Sequence, residues 1–286
     1  MTSTGGLVVV DKPGGMTSHD VVARARRALG TRKIGHGGTL DPMATGVLVL
    51  GVGRATRLLT YVVGTGKVYR GTIRLGQSTI TDDAEGEVVS ASPAPVADEA
   101  IRAGLAAMVG EIDQVPSAVS AIKVKGVRSY HRVRQGESVE LPARRVTIKS
   151  LEVGDVRRHD DVTDVDVVVD CSSGTYIRAI ARDLGNTLGV GGHLTALRRT
   201  RVGNFTLEES CGLDELSVLP TADALRRLMG VREVDEDQAR VVSHGGPLPP
   251  SGMPGPYGVF GPDGTALAVV SERAGKARAE IVLVGG

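Results

Sequence analysis

The chain has 286 residues, 41% hydrophobic and 23% charged, with a formal net charge of +1; it can bury a sizeable core, and its global charge does not point to nucleic acid. With no Trp, two Phe and five Tyr, the composition argues against an RNA binder built on a sheet of stacking aromatics. Two distant cysteines, six histidines without HxxxH or HExxH spacing, and no apolar run near the ~18 residues of a membrane span argue against a disulfide framework, a zinc site or a membrane protein, and for a cytoplasmic one.

Residues 7–10 predict a short apolar strand, turned by Lys12-Pro13-Gly14-Gly15. Thr17 or Ser18 then caps a helix to about residue 29, with Val21, Val22, Ala25 and Leu29 at helical spacing. Arg24, Arg26 and Arg27 fall mostly elsewhere and read as a solvated face. Residues 33–58 follow, KIGHGGTLDPMATGVLVLGVGRATRL. A glycine loop holds His36, Asp41 precedes Pro42, an apolar strand covers 47–50, and a second glycine turn leads into helix to residue 63. An Asp before a Pro is ordinarily a turn initiator. Here the acid lies between two glycine turns and beside a histidine, a place from which it can face a cleft.

Residues 67–75 alternate as a strand, with Tyr69, Ile73 and Leu75 on one inward face. An acidic turn at 79–87, a short strand at 88–90 and a helix at 97–108 come next, the helix ended by Gly110. From 117 to 146, seven basic residues stand against two acids, a net +5. In a balanced chain this reads as a basic arm that touches phosphates. Strands are expected at 146–156 and 162–171, with Asp160, Asp161, Asp164 and Asp166 making the turn and one face unsuited to nucleic acid. After the Ser172-Ser173-Gly174-Thr175 turn, 176–188 is helix. Its Arg178 sits in the first turn, where a cation gains nothing from the helix dipole; that placement points to a specific partner. Residues 194–202 carry Arg198, Arg199 and Arg201. Composition shifts near Gly230, and beyond the turn-rich PLPPSGMPGP the spans 257–260, 266–271 and 279–284 predict three short strands of a small β domain.

Two nucleotide motifs fail on inspection. Gly51-Val52-Gly53 follows an apolar strand as in a dinucleotide site, but Thr56 stands at the third glycine and no ribose-binding acid follows ~20 residues on. Gly64-Thr65-Gly66-Lys67 resembles the end of a P-loop, but Tyr61 replaces its first glycine and Val68 its magnesium-binding hydroxyl.

The stretch GHGGTLDPMATGVLVLGVGRATRL closely resembles the central motif of the TruB family of tRNA pseudouridine synthases. Four further blocks match in order: LVVVDKPGGM its Lys-Pro motif, KVYRGTIRLG its tyrosine strand, PSAVSAIKVKGVRSYHRVRQG its RNA-gripping thumb, and CSSGTYIRAIARDLGNTL with LTALRR its arginine block. The tail from about Gly230 resembles, more weakly, a PUA-type RNA-binding domain. The resemblance implies a mixed α/β (α+β) fold: a long, mainly antiparallel central sheet crossed by an active-site cleft, plus a small C-terminal PUA-like β domain. The implied division is residues 1–229 for catalysis, with 117–146 as the thumb, and 230–286 for the tail.

The implied reaction is isomerisation of uridine 55 in the T arm of tRNA to pseudouridine, with no cofactor or metal, by a monomer without an obligate protein partner. Carried over, Asp41 is the nucleophile, Arg178 its partner, and Tyr69 stacks on the flipped uracil near the C5 proton. His36 enters the T loop where the base leaves. Tyr176 and Leu197 line the uracil pocket, with Lys12 and Pro13 in support, and Lys123, Lys125, Arg128 and Arg132 touch RNA phosphates. Two departures, Gly37-Gly38 where the family commonly has Thr-Gly and His131 where an acid is common, remove no catalytic atom.

An isomerisation needs an activated carboxylate rather than a redox group. Desolvation around a flipped base raises an Asp pKa, and a neighbouring arginine lowers it by roughly 1–3 units, which keeps the carboxylate charged. Extruding a base costs a few kcal/mol, and stacking on an aromatic returns ~1–3 kcal/mol. Two other readings remain: an RNA binder that keeps the cleft only for grip, disfavoured by Asp41, Tyr69 and Arg178 together, and a nucleotide-dependent oxidoreductase at Gly51–Gly53, disfavoured by the missing ribose acid.

Overall fold

The computed structural model describes residues 5–92, 95–117 and 141–284, and the backbone alone at 123–124 and 127–128. The strands in chain order are β1 (Gly6–Lys12), β2 (Ile34–His36), β3 (Thr45–Val52), β4 (Lys67–Leu75), β5 (Gln77–Thr79), β6 (Val88–Ala91), β7 (Gly110–Gln114), β8 (Lys123–Val124), β9 (Val127–Arg128), β10 (Arg144–Arg158), β11 (Thr163–Cys171), β12 (Gly192–Val202), β13 (Phe205–Thr206), β14 (Leu219–Pro220), β15 (Val231–Glu233), β16 (Tyr257–Phe260), β17 (Ala266–Arg273) and β18 (Lys276–Val282). The helices are α1 (Ser18–Ala28), α2 (Leu59–Val63), α3 (Asp98–Ala106), α4 (Ile177–Thr187), α5 (Thr221–Leu228) and α6 (Glu236–Ser243). None is long and apolar enough to cross a membrane.

One ten-stranded sheet runs β14-β1-β3-β12-β4-β11-β10-β7, with β2 beside β3 and β13 beside β12. Its pairings are antiparallel except β3 with β12, which meet in parallel at Thr45/Arg198 and Gly46/Arg199. Gly46 is needed there: at φ +99° its missing Cβ leaves room for the Arg199 carbonyl, which a Cβ would meet at 2.2 Å. The architecture is the mixed α/β one expected, with a long, mainly antiparallel central sheet.

β1 and β3 read as unbroken apolar runs because both their faces are covered. Val8, Val10, Leu48 and Leu50 join one core with α1, α3 and α4, through Val21, Ile101, Ile180 and Leu184 among others. Leu7, Val9, Val47 and Val49 point the other way, into a core with α2, α5 and the C-terminal strands, through Leu59, Val62, Leu225, Phe260 and Val269.

The tail is a four-stranded sheet, β15-β16-β17-β18. The three strands expected there are present. β15 and α6, and α5 just before the tail, are additions that alternation alone does not reveal. α6 carried a legible signal in its cap, Asp235, whose carboxylate accepts from the Gln238 N–H at 2.8 Å. The helix expected over 56–63 begins as a tighter 3₁₀ turn, Gly53–Leu58. In the basic arm, β8 and β9 pair Lys123 with Arg128 along the backbone, and Lys125 and Arg132 lie outside the described residues.

Candidate active site

Asp41 belongs to a turn that the sequence dictates locally. Pro42 fixes the second position, and the Asp41 carbonyl accepts from the Ala44 N–H at 3.1 Å. Two buried groups from neighbouring elements hold this loop. Ser18, in the first turn of α1, bonds both the carbonyl and the N–H of Leu40, at 3.1 and 2.9 Å. Lys12, fully buried at the end of β1, donates to the carbonyls of Pro13, Met16 and Pro42, at 2.9, 2.6 and 3.2 Å. All three ammonium protons therefore go to backbone. Burial pulls its pKa down to about 8, against the pull of Asp41 and Glu85. Pro13 is exposed and acts through its carbonyl.

The Asp41 carboxylate meets Arg178, with Nε to Oδ2 at 3.0 Å. Arg178 also reaches Asp83, 3.3 Å from its Nη1, and donates to the Thr81 carbonyl at 2.8 Å. Arg178 and Asp83 are buried. Sequence reasoning missed Asp83, which lay in what read as a plain acidic turn. That turn is fastened to the sheet by the Ala84 N–H on the Leu194 carbonyl and the Leu194 N–H on the Asp82 carbonyl, at 2.9 and 3.0 Å. Burial pushes the Asp41 carboxyl above the usual carboxylate range; Arg178 opposes this and Asp83 adds to it. The group is desolvated by its walls yet open on one side, with 36% of its side chain exposed.

A cavity of about 310 Å³ lies on that open side, lined by Asp41, Lys67, Tyr69, Tyr176, Arg178, Leu197 and Arg199, among others. Tyr69 and Leu197 come from adjacent central strands and form an apolar wall. Burial raises the Tyr69 hydroxyl's pKa, with Arg199 opposing, so the hydroxyl keeps its proton. Tyr176 is the N-cap of α4, and its side chain makes no capping hydrogen bond. The Gln114 side chain holds its backbone instead: the Gln114 oxygen accepts from the Tyr176 N–H at 2.8 Å, and the amide donates to the Tyr176 carbonyl at 3.1 Å. Gln114 closes β7, where the chain enters the basic arm, and was another residue the sequence reading passed over. Arg199 is buried and bonds the carbonyls of Val47, Thr39 and Gly38, at 2.8, 3.4 and 3.1 Å. It shapes the glycine loop from behind.

His36 stands apart from this group. It sits on β2, with its ring edge-on to His19 at 5.3 Å between centroids, and is not among the residues lining the cavity. A larger and more open groove, about 600 Å³, shares Leu197 and runs past Arg70, Thr72, Glu85, Asp166 and Arg198. The acidic face expected around it is neutralised in part. Arg74 grips Asp164 at 2.7 and 2.8 Å, and Arg157 pairs with Asp166.

Comparison with known proteins gives a consistent set of likenesses. The family model described as "TruB family pseudouridylate synthase (N terminal domain)" matches residues 26–177. Models of the tRNA pseudouridylate synthase B C-terminal domain and of the tRNA pseudouridine synthase II C terminus match residues 178–230 and 229–284. The chain is 57% identical to a tRNA pseudouridine synthase B of Thermobifida fusca, covering 98% of this chain and 99% of that one. It is 58% identical to the Arthrobacter protein of the same name, covering 97% and 96%. In fold it resembles the structure titled "Crystal Structure of a Cbf5-Nop10-Gar1 Complex", with TM-score 0.74 and 24% identity over 99% of this chain and 86% of that chain.

Proposed function

The chain belongs to the TruB family of pseudouridylate synthases and is a tRNA pseudouridine synthase, and we propose that its target is uridine 55 in the T arm, flipped into the cavity and attacked by Asp41. The observation that carries this reading is the contact of the Asp41 carboxylate with the buried Arg178 guanidinium at 3.0 Å, beside Tyr69 in one cavity. A lone ion pair needs no cavity; a nucleophile does. The guanidinium keeps the carboxylate charged against desolvation and fixes its direction. Tyr69 supplies the aromatic face on which a flipped uracil stacks, and Leu197 and Tyr176 supply the remaining walls. Lys12 holds the Asp41 loop from below through the Pro42 carbonyl, and Pro13 supports that anchor.

His36 enters the space the base vacates in the T loop. Lys123, Lys125, Arg128 and Arg132 hold phosphates from the basic arm. In this reading residues 1–229 carry catalysis and residues 230–286 add RNA contacts. The protein works as a cytoplasmic monomer, with tRNA as its partner and no cofactor.

The test uses tRNA tritiated at C5 of uridine. Tritium is released without any added cofactor by the unaltered protein. Asp41→Asn abolishes release while tRNA binding persists. Release that survives the substitution overturns the role of Asp41, and tritium released from a uridine outside the T arm overturns the target.

A further inference from the structure

Lys67 lies in the wall of the cavity, and the isomerisation as argued so far gives it no task. It is buried at the start of β4, two residues before Tyr69 and on the same face, so their Cα atoms are about 7 Å apart. Its ammonium donates to the carbonyls of Val63 and Thr65, at 2.7 and 2.6 Å. Among the described residues, Lys12 spends three protons on three carbonyls and Lys67 spends two. An ammonium has three donors and no acceptor. Among the described residues no carboxylate lies within ion-pair distance of Lys67, and none lies within that distance of Arg199, which faces Tyr69 across the β4–β12 pairing. The Arg199 charge acts on Lys67 and that of Asp41 does not, while the Cys171 thiol, pushed up to about 11, is neutral near neutral pH. Burial, and after it the Arg199 charge, bring the lysine down to about 8, so it remains mostly protonated near neutral pH.

The cavity is therefore polarised. Carboxylates gather where Asp41 and Asp83 share Arg178, and two buried cations without carboxylate partners among the described residues stand by Tyr69. A buried cation is costly unless something anionic meets it. The reaction supplies such an anion. When the C1′–N1 bond breaks, its electron pair stays on N1, and the uracil carries a negative charge spread over N1, O2 and O4. The electron demand at C1′ is met at the other end, by an Asp41 oxygen pair or by loss of a ribose proton. The pair on C5 of the turned base then forms the C5–C1′ bond, as the Asp41–C1′ bond breaks or the ribose proton returns, and the C5 proton leaves while N1 takes one up.

We propose that Lys67 is a further catalytic residue, whose third ammonium proton meets the target base and stabilises the negative charge the base acquires as it leaves the ribose. Arg199 strengthens the same field from behind Tyr69. The proposal rests on the pseudouridine synthase reading of this site. Preorganised donors at a developing anion are typically worth 10²–10³ in kcat.

The experiment compares single-turnover consumption of the target nucleoside in two T-arm RNAs, one with uridine and one with 5-fluorouridine at the target, in mildly acidic buffer. Fluorine makes the base a better leaving group, so the base needs less help. Lys67→Met is expected to slow the uridine substrate about 100-fold, to slow the fluorinated one at least several-fold less, and to leave RNA affinity unchanged. Lys67→Arg recovers most of the loss. If Lys67→Met does not fold, Lys67→Arg decides: near-native turnover supports the charge, and loss as complete as an inactive protein overturns it. An equal loss on both substrates overturns the proposal, because a lysine that only ties Val63 and Thr65, or that holds a phosphate, ignores the leaving group. Inactivity of the unaltered protein would instead sink the reading beneath it.

Discussion

Arg178 is shared by two carboxylates, with Asp41 at 3.0 Å from its Nε and Asp83 at 3.3 Å from its Nη1. One guanidinium thus answers two acids, and the trio carries a net negative charge. Asp83 stands buried on one side of Arg178, and Asp41 stands half-open to the cavity on the other. Arg178 is anchored by the acid that is buried and presented to the acid that opens to the cavity.

This sharing sets an order of stability among variants. Arg178→Met leaves two carboxylates facing each other in a buried setting and is expected to cost about 3–5 kcal/mol in urea unfolding. Asp41→Asn leaves the Arg178–Asp83 pair neutral, so it costs nothing or stabilises at neutral pH. The sign follows from the Asp41 carboxyl being held above its usual range. Ionising it disfavours the fold once pH exceeds the unfolded value, and that penalty disappears as pH falls below it. The gain from Asp41→Asn is therefore present at neutral pH and vanishes in acid. A clear loss of stability in Asp41→Asn at neutral pH would contradict the account.

On the proposed role of Asp41, the same pair sets the acid limb of activity. A nucleophile raised by burial is protonated, and lost, at a pH above the ordinary carboxylate range. Asp83 contributes to that elevation, so Asp83→Asn moves the acid limb to lower pH even as it lowers the maximum rate. A limb that stays in place would show that another group is titrating. Single-turnover rates across the acidic range read this directly.

The basic arm makes its own prediction. Neutralising Lys123, Lys125 and Arg128 together is expected to weaken tRNA binding and to reduce the slope of log affinity against log salt by roughly 2–3, given about 0.7–0.9 for each phosphate that loses its cation. Weaker binding with an unchanged slope would mean that the arm acts through shape rather than phosphate pairing.

Much of the fold was written in local pattern. β1, β3, β4 and β11 stand out as apolar or alternating runs, and α1 and α4 as helices. The turn that displays Asp41 follows from Asp41-Pro42 alone. The helix-dipole argument marked Arg178 as a cation that needed a partner. What alternation missed were short elements whose stability comes from packing, such as β15 and α5, together with the extra residues that the C-terminal strands gain by pairing.

The sequence by itself determined the turn that displays Asp41, the strand that carries Tyr69 and the helix with Arg178 in its first turn, because each depends on neighbours a few residues away. Only the tertiary structure decided that Asp83 shares Arg178, that Gln114 holds Tyr176 by its backbone, and that Lys67 lines the cavity. These relationships join segments far apart in the chain. Asp83 comes to the site because its turn is tied to β12, which pairs in parallel with β3 and antiparallel with β4; Gln114 meets Tyr176 because β7 and β11 both pair with β10. A burial pattern tells which side chains turn inward; strand order decides whom they meet there.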